Sequence, residues 1–333
     1  MKTHKYWIIL IIILLAAAVL AAYFIGAVNV SVLDSTKVFL NHFGAQYTLA
    51  DPRADFIIWE IRLPRIVLTL LVGAMLALSG LIFQGILRNA LADPFIMGVS
   101  GGGAIGAAVA FTLGWVTGLP LAAFAGALLA TAIVYSVSTV DGRRSPETLI
   151  LAGVAVGSLA AALLALIILV SGKLQPIYFW ILGSFSAVSW REVIVIAPYA
   201  ILGCFLSFFF IKDLNALLLG DEIAASLGIV VGRSRTILLV IGSLLAAAAV
   251  ALVGVIGFVG LLVPHILRLI FGTNHRRLVP LSIISGALLL VVADLIARTV
   301  MVPTEIPIGI ITALLGAPFF IYLLRRKRRK DIL

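Results

Sequence analysis

The sequence predicts an all-α membrane protein with about ten transmembrane helices in a single domain covering residues 1–333. Of the 333 residues, 63% are hydrophobic and only 11% are charged, whereas soluble domains are about 45–50% apolar and about 25% charged. The apolar residues also form continuous blocks instead of alternating with polar ones. Blocks of about 20 apolar residues fit helices that cross a bilayer and satisfy their own backbone groups.

Ten spans follow one another along the chain. The apolar blocks place them at residues 7–28, 66–87, 95–113, 119–140, 149–170, 193–211, 237–259, 261–271, 278–297 and 308–324. The first block resembles a signal peptide, but its apolar run exceeds the usual core of about 7–15 residues, so we expect an uncleaved span. The block at 261–271 is short enough for a half-span, and residues 177–188 predict a short re-entrant or surface helix.

The positive charges predict the side on which each loop lies. With the N-terminus inside, 17 of the 24 Lys and Arg residues fall on the inner face, while the acidic residues divide evenly. Inner loops of membrane proteins are enriched in Lys and Arg, so both termini are expected in the cytoplasm. The basic tail at 325–333 fits an anchor beside anionic membrane lipid better than a nucleic-acid site, and we expect no nucleic-acid partner.

Motifs for bond chemistry are absent from the sequence. It has no HExxH pattern, no second cysteine beside Cys204, and no GxxxxGK[ST] loop for ATP. We therefore expect no catalytic, cofactor or metal site, and any ATP that powers transport must act on another subunit. No predicted span carries a carboxylate at mid-depth, since Asp294 lies near an outer helix end with Arg298 four residues later. This pattern counts against the chief alternative class, a gradient-driven carrier without an ATPase.

Small residues crowd several predicted spans, most densely at Ser100, Gly101 and Gly102. Two interpretations remain open at this point. Small faces let helices approach closely in lipid, which would explain the run by packing alone. A run of small residues also costs helicity, so the segment could instead be a bent or broken helix beside a transport pathway.

One inner segment, within residues 213–230, is too short and too charged to cross the membrane. It predicts two short helices separated by Gly220 and ended by Gly228, where a left-handed cap would fall. Asp221 and Glu222 begin the second helix, where negative charge suits the helix dipole. Apolar faces are predicted on both helices, formed by Leu214, Leu217 and Leu218 in the first and by Ile223, Ala224 and Leu227 in the second.

Two roles suit such an amphipathic helix pair. It could lie on the lipid surface, but the acidic start of the second helix would be repelled by anionic lipid. A docking element for a partner protein is therefore the favoured interpretation of this segment.

Five stretches, in the same order, resemble the FecCD-type permeases. They are "RLPRIVLTLLVGAMLALSGLIFQGILRNALADPFIMGVSGGGAIGAA" from Arg62, "LILAGVAVG" from Leu149, "GDEIAASLGI" from Gly220, "GFVGLLVPHILRLIFG" from Gly257 and "ADLIARTVMVPTEIPIGIITALLGAPFFIYLL" from Ala293. The resemblance covers about residues 60–324. One departure is Ala90, where the family often has proline, and only a local change is expected there.

These permeases are the membrane subunits of ABC importers for iron–siderophore complexes, haem and cobalamin. The resemblance thus implies the type II ABC importer permease fold, a homodimer with its pathway along the dimer interface, and a location in a bacterial or archaeal cytoplasmic membrane. It further implies two cytoplasmic ATPase subunits, which would bind ATP and Mg, and a periplasmic or lipid-anchored substrate-binding protein. Family frequencies favour an iron complex over cobalamin as the cargo.

The resemblance also implies roles for residues on the inner side. Asp221, Glu222, Ala225 and Leu227 match coupling helices that fit a groove on the ATPase. Ser145, Pro146 and Glu147 match the cytoplasmic gate, although a helix start with Ser145 as its cap and Pro146 in its first turn is equally compatible.

On the outer side, Arg62, Arg65 and Arg298 match arginines that pair with acidic surfaces of the binding protein. The alternative is a snorkelling arginine at the interface, or for Arg298 a pair with Asp294. The aromatic run at 178–180 could contact a macrocyclic cargo at the outer mouth, but aromatic residues are also the usual content of a membrane interface.

Overall fold

The computed structural model describes the backbone of residues 2–139 and 145–330, and the side chains within 5–139 and 145–322. Every regular element in these ranges is helical. The α-helices are α1 (Lys2–Phe24), α2 (Val32–His42), α3 (Arg53–Asp55), α4 (Leu63–Ile86), α5 (Val99–Thr112), α6 (Leu119–Val137), α7 (Pro146–Ser171), α8 (Leu174–Ile181), α9 (Trp190–Phe209), α10 (Ile211–Leu218), α11 (Asp221–Ser226), α12 (Val231–Val253), α13 (Val259–Phe271), α14 (His275–Thr299) and α15 (Ile308–Lys330). A π-helical segment (Phe56–Arg62) and a 3-10 turn (Pro94–Met97) complete them.

The transmembrane helices correspond one to one with the predicted spans. Seven helices of the described part are long and apolar enough to cross a membrane, and three shorter apolar helices, α5, α13 and the start of α15, complete the set. The predicted half-span is α13, and the predicted re-entrant or surface helix is α8, which begins and ends earlier than expected. The all-helical fold with about ten membrane segments is confirmed.

The central helix begins much earlier than predicted. Helix α3, the π-helical segment and α4 form one continuous helix of 34 residues, Arg53–Ile86, and 83% of its most apolar window is buried. The span was expected to begin at residue 66, after the charges at 60–65. The segment stays helical because Arg62 and Arg65 turn into the protein and find partners, so neither charge is left buried alone.

Glycines bring the central helix into backbone contact with its neighbours. A methyl group added at Gly73 would overlap the carbonyl of Gly286 on α14, and one at Gly80 would overlap the carbonyl of Gly260 on α13. Helices in lipid associate through such close packing because no hydrophobic force acts between them there. Helices α13 and α14 are therefore fixed against α4 at the van der Waals limit.

Helix α5 runs unbroken through the run of small residues, so the broken-helix interpretation is wrong. Packing accounts for the run instead. A methyl group at Gly102 would overlap the carbonyl of Gly126 on α6, and one at Gly101 would lie 2.8 Å from the Cβ of Ala160 on α7. The low helix propensity of glycine is overcome by the contacts that its missing side chain permits.

Two long helices lie at the edge of the bundle. Only 11% of the most apolar window of α1 and of α7 is buried, and α7 exposes Leu151, Val154 and Leu159. Both helices are covered in the membrane by lipid or by other chains. The expected inner-face residues Arg143 and Arg144, and the side chains of the basic tail, lie outside the described residues.

Replacing Gly80 by alanine tests the backbone contact. The added methyl group must push α13 away from α4, which we expect to cost about 2–3 kcal/mol of stability and to lower the midpoint of thermal unfolding in detergent. Gly157→Ala on α7 is the matched control, because nothing lies within 4 Å of a methyl group there and alanine favours the helix. Equal unfolding midpoints for the two variants would contradict the contact.

Candidate functional site

The inner helix pair has the predicted form. Helices α10 and α11 meet at Gly220, whose φ of +114° is open to glycine. Gly228, with a φ of +83°, ends α11. Its N–H donates to the carbonyl of Ala225 at 2.9 Å, and the next N–H, of Ile229, donates to Ala224 at 3.0 Å. This is the hydrogen-bonding pattern of a Schellman cap.

The first helix of the pair points its leucines inward. Leu214 and Leu217 are buried, and a methyl group at Gly85, near the end of α4, would lie 2.9 Å from Leu214. The expectation that these two leucines present an apolar face to a partner is therefore corrected, because the face is already covered by the central helix. Leu218 is partly exposed.

The outward surface lies on α11 and on the short segments that flank it. We define the exposed face of the helix pair as Leu219, Ile223, Ala225, Leu227 and Val230, all of which are exposed. Glu222 and Gly228 are exposed beside it, whereas Ala224 is buried. An exposed apolar patch beside a charged residue is typical of a surface that binds another protein.

Asn215 ties α10 to the start of α14. Its Oδ1 accepts the backbone N–H of His275 at 2.9 Å and lies 3.0 Å from the Nδ1 of the same residue. Its Nδ2 donates to Asn274 at 3.4 Å, and Asn274 caps α14 through the N–H of Arg276. His275 is fully buried, so its two contacts with Asn215 are partly shielded from water, and they hold the two helices together.

Asp221 ties α11 to α4 and α12. Its carboxylate lies 2.7 Å from Arg235 in the first turns of α12 and 3.4 Å from Arg88, two residues after α4. Arg88 adopts a left-handed conformation with a φ of +50°. The side chain of Ser234 also donates to Asp213 of α10. Both helices of the pair are thus fixed to the core of the subunit by polar contacts.

The predicted gate residues lie at the start of α7. Ser145 caps the helix, and its side chain and that of Thr148 bond reciprocally to backbone N–H groups at 3.2 and 3.1 Å. Pro146 is buried in the first turn and Glu147 is exposed. The helix-start interpretation is confirmed, and the gate role of the three residues stays a prediction, as does a pathway role for Ser100, Gly101 and Gly102.

At the opposite end of the molecule, all three predicted docking arginines are buried. Arg62 donates to the carbonyls of Tyr23 and Phe24 at 3.0 and 3.1 Å, and also to that of Val28. Arg298 donates to the carbonyl of Ala22 at 2.6 Å. Both guanidinium groups satisfy carbonyls at or just beyond the C-terminus of α1, where positive charge is favourable.

The third arginine, Arg65, forms a buried ion pair. It reaches Asp294 of α14 through Nε and Nη2 at 3.1 and 2.8 Å, and Glu305 through Nη1 at 2.8 Å. The expected pair of Arg298 with Asp294 is present but longer, at 3.7 Å. Docking of a binding protein on these arginines stays a prediction. Their contacts weigh against it, because a buried and paired guanidinium offers little to a partner.

Two further predictions concern cargo and metal. Tyr178 and Phe179 of α8 are exposed, while Trp180 is partly buried. A contact of these rings with cargo stays a prediction. In the described part of the chain, no group of three or more His, Cys, Asp or Glu could hold a metal ion.

Ten apolar helices with a short helix pair fixed to one end of the bundle, in the described part of the chain, are typical of a membrane transport subunit. The chain belongs to the FecCD transport family, whose model matches residues 11–326. Its relatives are permeases of ABC importers, and the chain is therefore an ABC importer permease of the metal-chelate class.

Three comparisons illustrate the relationship. The chain is 46% identical over 275 residues to the cobalamin import system permease of Halobacterium salinarum, covering 82% of this chain and 74% of that one. It is 38% identical to the hemin transport system permease of Yersinia pestis, covering 82% and 84%. A solved structure of a metal-chelate type ABC transporter in an inward-facing conformation matches with a TM-score of 0.85 and 32% identity, covering 97% and 99%.

Breaking the Arg65–Asp294 pair by removing one partner should be strongly destabilising. Asp294→Asn leaves the buried guanidinium with Glu305 alone, and we expect a loss of about 3 kcal/mol or more in the free energy of unfolding. Chemical denaturation in detergent would measure it. Arg53→Gln is the control, because Arg53 is exposed and pairs only at the surface with Asp51. A variant Asp294→Asn as stable as Arg53→Gln would refute this role.

Proposed function

We propose that this chain is the transmembrane subunit of an ATP-driven importer, working as a homodimer with two cytoplasmic ATPase subunits. The observation that carries the proposal is the exposed face of the helix pair, which is apolar and yet is held outside the bundle. An apolar face that the chain leaves uncovered, on helices fixed to the core, suits a partner that pushes on it. The second copy, the ATPase subunits and a substrate-binding protein on the far side are all parts of the proposal.

The contacts of the helix pair suggest how a push would travel. Force on α11 would pass through Asp221 to Arg88 and Arg235, and force on α10 would pass through Asn215 to α14. Both routes end in the core around α4. The core and the pair would then turn as one body while the edge helix α7 changes its neighbours, which would open the pathway alternately to the two sides of the membrane.

ATP chemistry belongs to the partner in this proposal. This chain would bind neither nucleotide nor Mg, and it would catalyse no bond change itself. It would act by changing conformation. Nucleotide-driven closure of the ATPase subunits would shift the equilibrium between two conformations of the permease. Both termini and the helix pair would lie in the cytoplasm, in agreement with the distribution of Lys and Arg.

For the cargo, we propose a cobalamin-type corrinoid first and haem or another iron chelate second. The identity of 46% to a cobalamin permease, against 38% to a hemin permease, favours the corrinoid. The iron complex expected from family frequencies is supported by the similarity to the hemin permease. Corrin and haem are both large, roughly planar macrocyclic chelates, and the exposed apolar side chains of α7 would not discriminate strongly between them.

Uptake in proteoliposomes tests the proposed function. The permease is co-reconstituted with its ATPase and binding protein, and accumulation of cyanocobalamin, haemin and ferric siderophore is compared with and without ATP. We expect ATP-dependent uptake of one chelate, and a fall of about tenfold or more in Leu227→Asp, which puts a charge into the apolar contact. Leu227→Met, which keeps the apolar surface, should behave as wild type. Uptake driven by an ion gradient alone would favour the secondary carrier.

Asn215 tests the transmission of force. Asn215→Ala removes the acceptor for His275, so we expect the ATPase to remain bound and to hydrolyse ATP while uptake per ATP falls several-fold. Asn215→Asp keeps an oxygen at Oδ1 and should recover most of the uptake. If Asn215→Ala retains the full ratio of uptake to hydrolysis, α10 does not pass force through this contact.

A further inference from the structure

A cavity of about 380 Å³ opens between α6, α9 and α12. Its walls are formed mainly by apolar side chains, among them Leu121 and Phe124 of α6, Val195 of α9 and Leu252 of α12. This volume is in the range of pockets that hold small organic molecules, about 300–1,000 Å³. None of these residues belongs to the helix pair or to the outer arginine cluster.

The cavity lies at the end of the bundle opposite to the helix pair. Helix α9 ends two residues before α10 begins, and α12 starts five residues after α11 ends. The start of α9 and the end of α12, which line the cavity, are therefore at the far end of two membrane-crossing helices. Leu121, Val195 and Tyr199 are exposed at its rim, so the cavity opens sideways toward the acyl chains of that leaflet.

Two charged residues, Arg191 and Glu192, line the cavity at the first turn of α9. Arg191 is exposed, and its guanidinium has no hydrogen bond or ion pair within the described residues. Glu192 uses Oε2 to accept from the N–H and the hydroxyl of Ser189, at 2.9 and 2.6 Å, which completes the cap of α9. The cavity thus combines an apolar interior with one positive and one negative group at membrane-interface depth.

We propose that this cavity binds one phospholipid with a zwitterionic, amine-bearing headgroup. An acyl chain fills the apolar interior, the phosphate lies on Arg191, and the ammonium group lies near Glu192. A lipid with an uncharged headgroup would leave both charges without a counterpart, and a purely anionic lipid would leave Glu192 without one, whereas an ethanolamine phospholipid complements both. The partner assigned to this surface is therefore a lipid and not a second copy of the chain.

Native mass spectrometry of the purified protein tests the proposal. The protein is titrated with dioleoyl phosphatidylethanolamine and, separately, with dioleoyl phosphatidylglycerol, and bound lipid is counted per chain. We expect one lipid bound with about fivefold preference for the ethanolamine form, the ratio that a single partly exposed ion pair supplies. Arg191→Gln should weaken binding of both lipids about fivefold. Glu192→Gln, which can still cap α9, should abolish only the preference.

A pair of tryptophan variants separates the cavity from general lipid contact. Leu121→Trp should fill the mouth of the cavity and reduce binding of both lipids. Leu129→Trp, on the same helix and equally exposed at 64% against 63%, lies outside the cavity and should leave binding unchanged. Wild-type binding in Arg191→Gln, or no headgroup preference in the wild-type protein, would overturn the proposal. So would a Leu121→Trp variant that changes the oligomeric state and leaves lipid binding intact, since the surface would then meet a second copy.

Discussion

Two glycine pairs, Gly73 with Gly286 and Gly80 with Gly260, put the backbone of α4 in direct contact with α14 and α13. Lipid supplies no hydrophobic force between helices, so their association depends on such close packing and on the polar contacts that it permits. Because α14 is fixed along α4, each of its two ends lies within reach of a polar side chain on another helix. Its C-terminal end supplies Asp294 to Arg65, and its N-terminal end supplies His275 to Asn215. The ion pair at one end and the junction with α10 at the other both follow from this packing.

The helices fall into a tightly packed core and a loosely packed edge. The central helix, α13 and α14 share a core with α12, and polar contacts fix α10 and α11 to that core. Helix α7 lies at the edge with little of its apolar surface buried. A membrane protein that must change shape needs one part that keeps its packing and another that can exchange contacts at low cost. The helix pair belongs to the part that keeps its packing. A force applied to the pair would therefore move the core as a whole and would not be absorbed by local rearrangement.

The local patterns of the sequence predicted much of this fold. Continuous apolar blocks gave the ten spans, and Gly220 and Gly228 gave the turn and the cap of the helix pair, because these features depend only on neighbouring residues. The pattern could not show which apolar face is covered by the protein itself, so Leu214 and Leu217 were expected on the wrong side. It also could not show contacts between distant residues. Arg65 and Asp294 are 229 residues apart, and Asn215 and His275 are 60 apart. The pattern therefore did not show that the charge of Arg65 is already paired within the chain.

The central claim is that the helix pair and the core move as one body, and paired spin labels would test it most directly. After Cys204, the only native cysteine, is replaced, labels at Ser226 of α11 and Arg277 of α14 report the distance within the unit. Labels at Leu151 on the α7 helices of the proposed homodimer report the change at the edge. In the proposed complex with the ATPase, ATP should leave the first distance unchanged and shift the second. If ATP instead shifts the first distance and leaves the second unchanged, the helix pair moves independently of the core and the account is wrong.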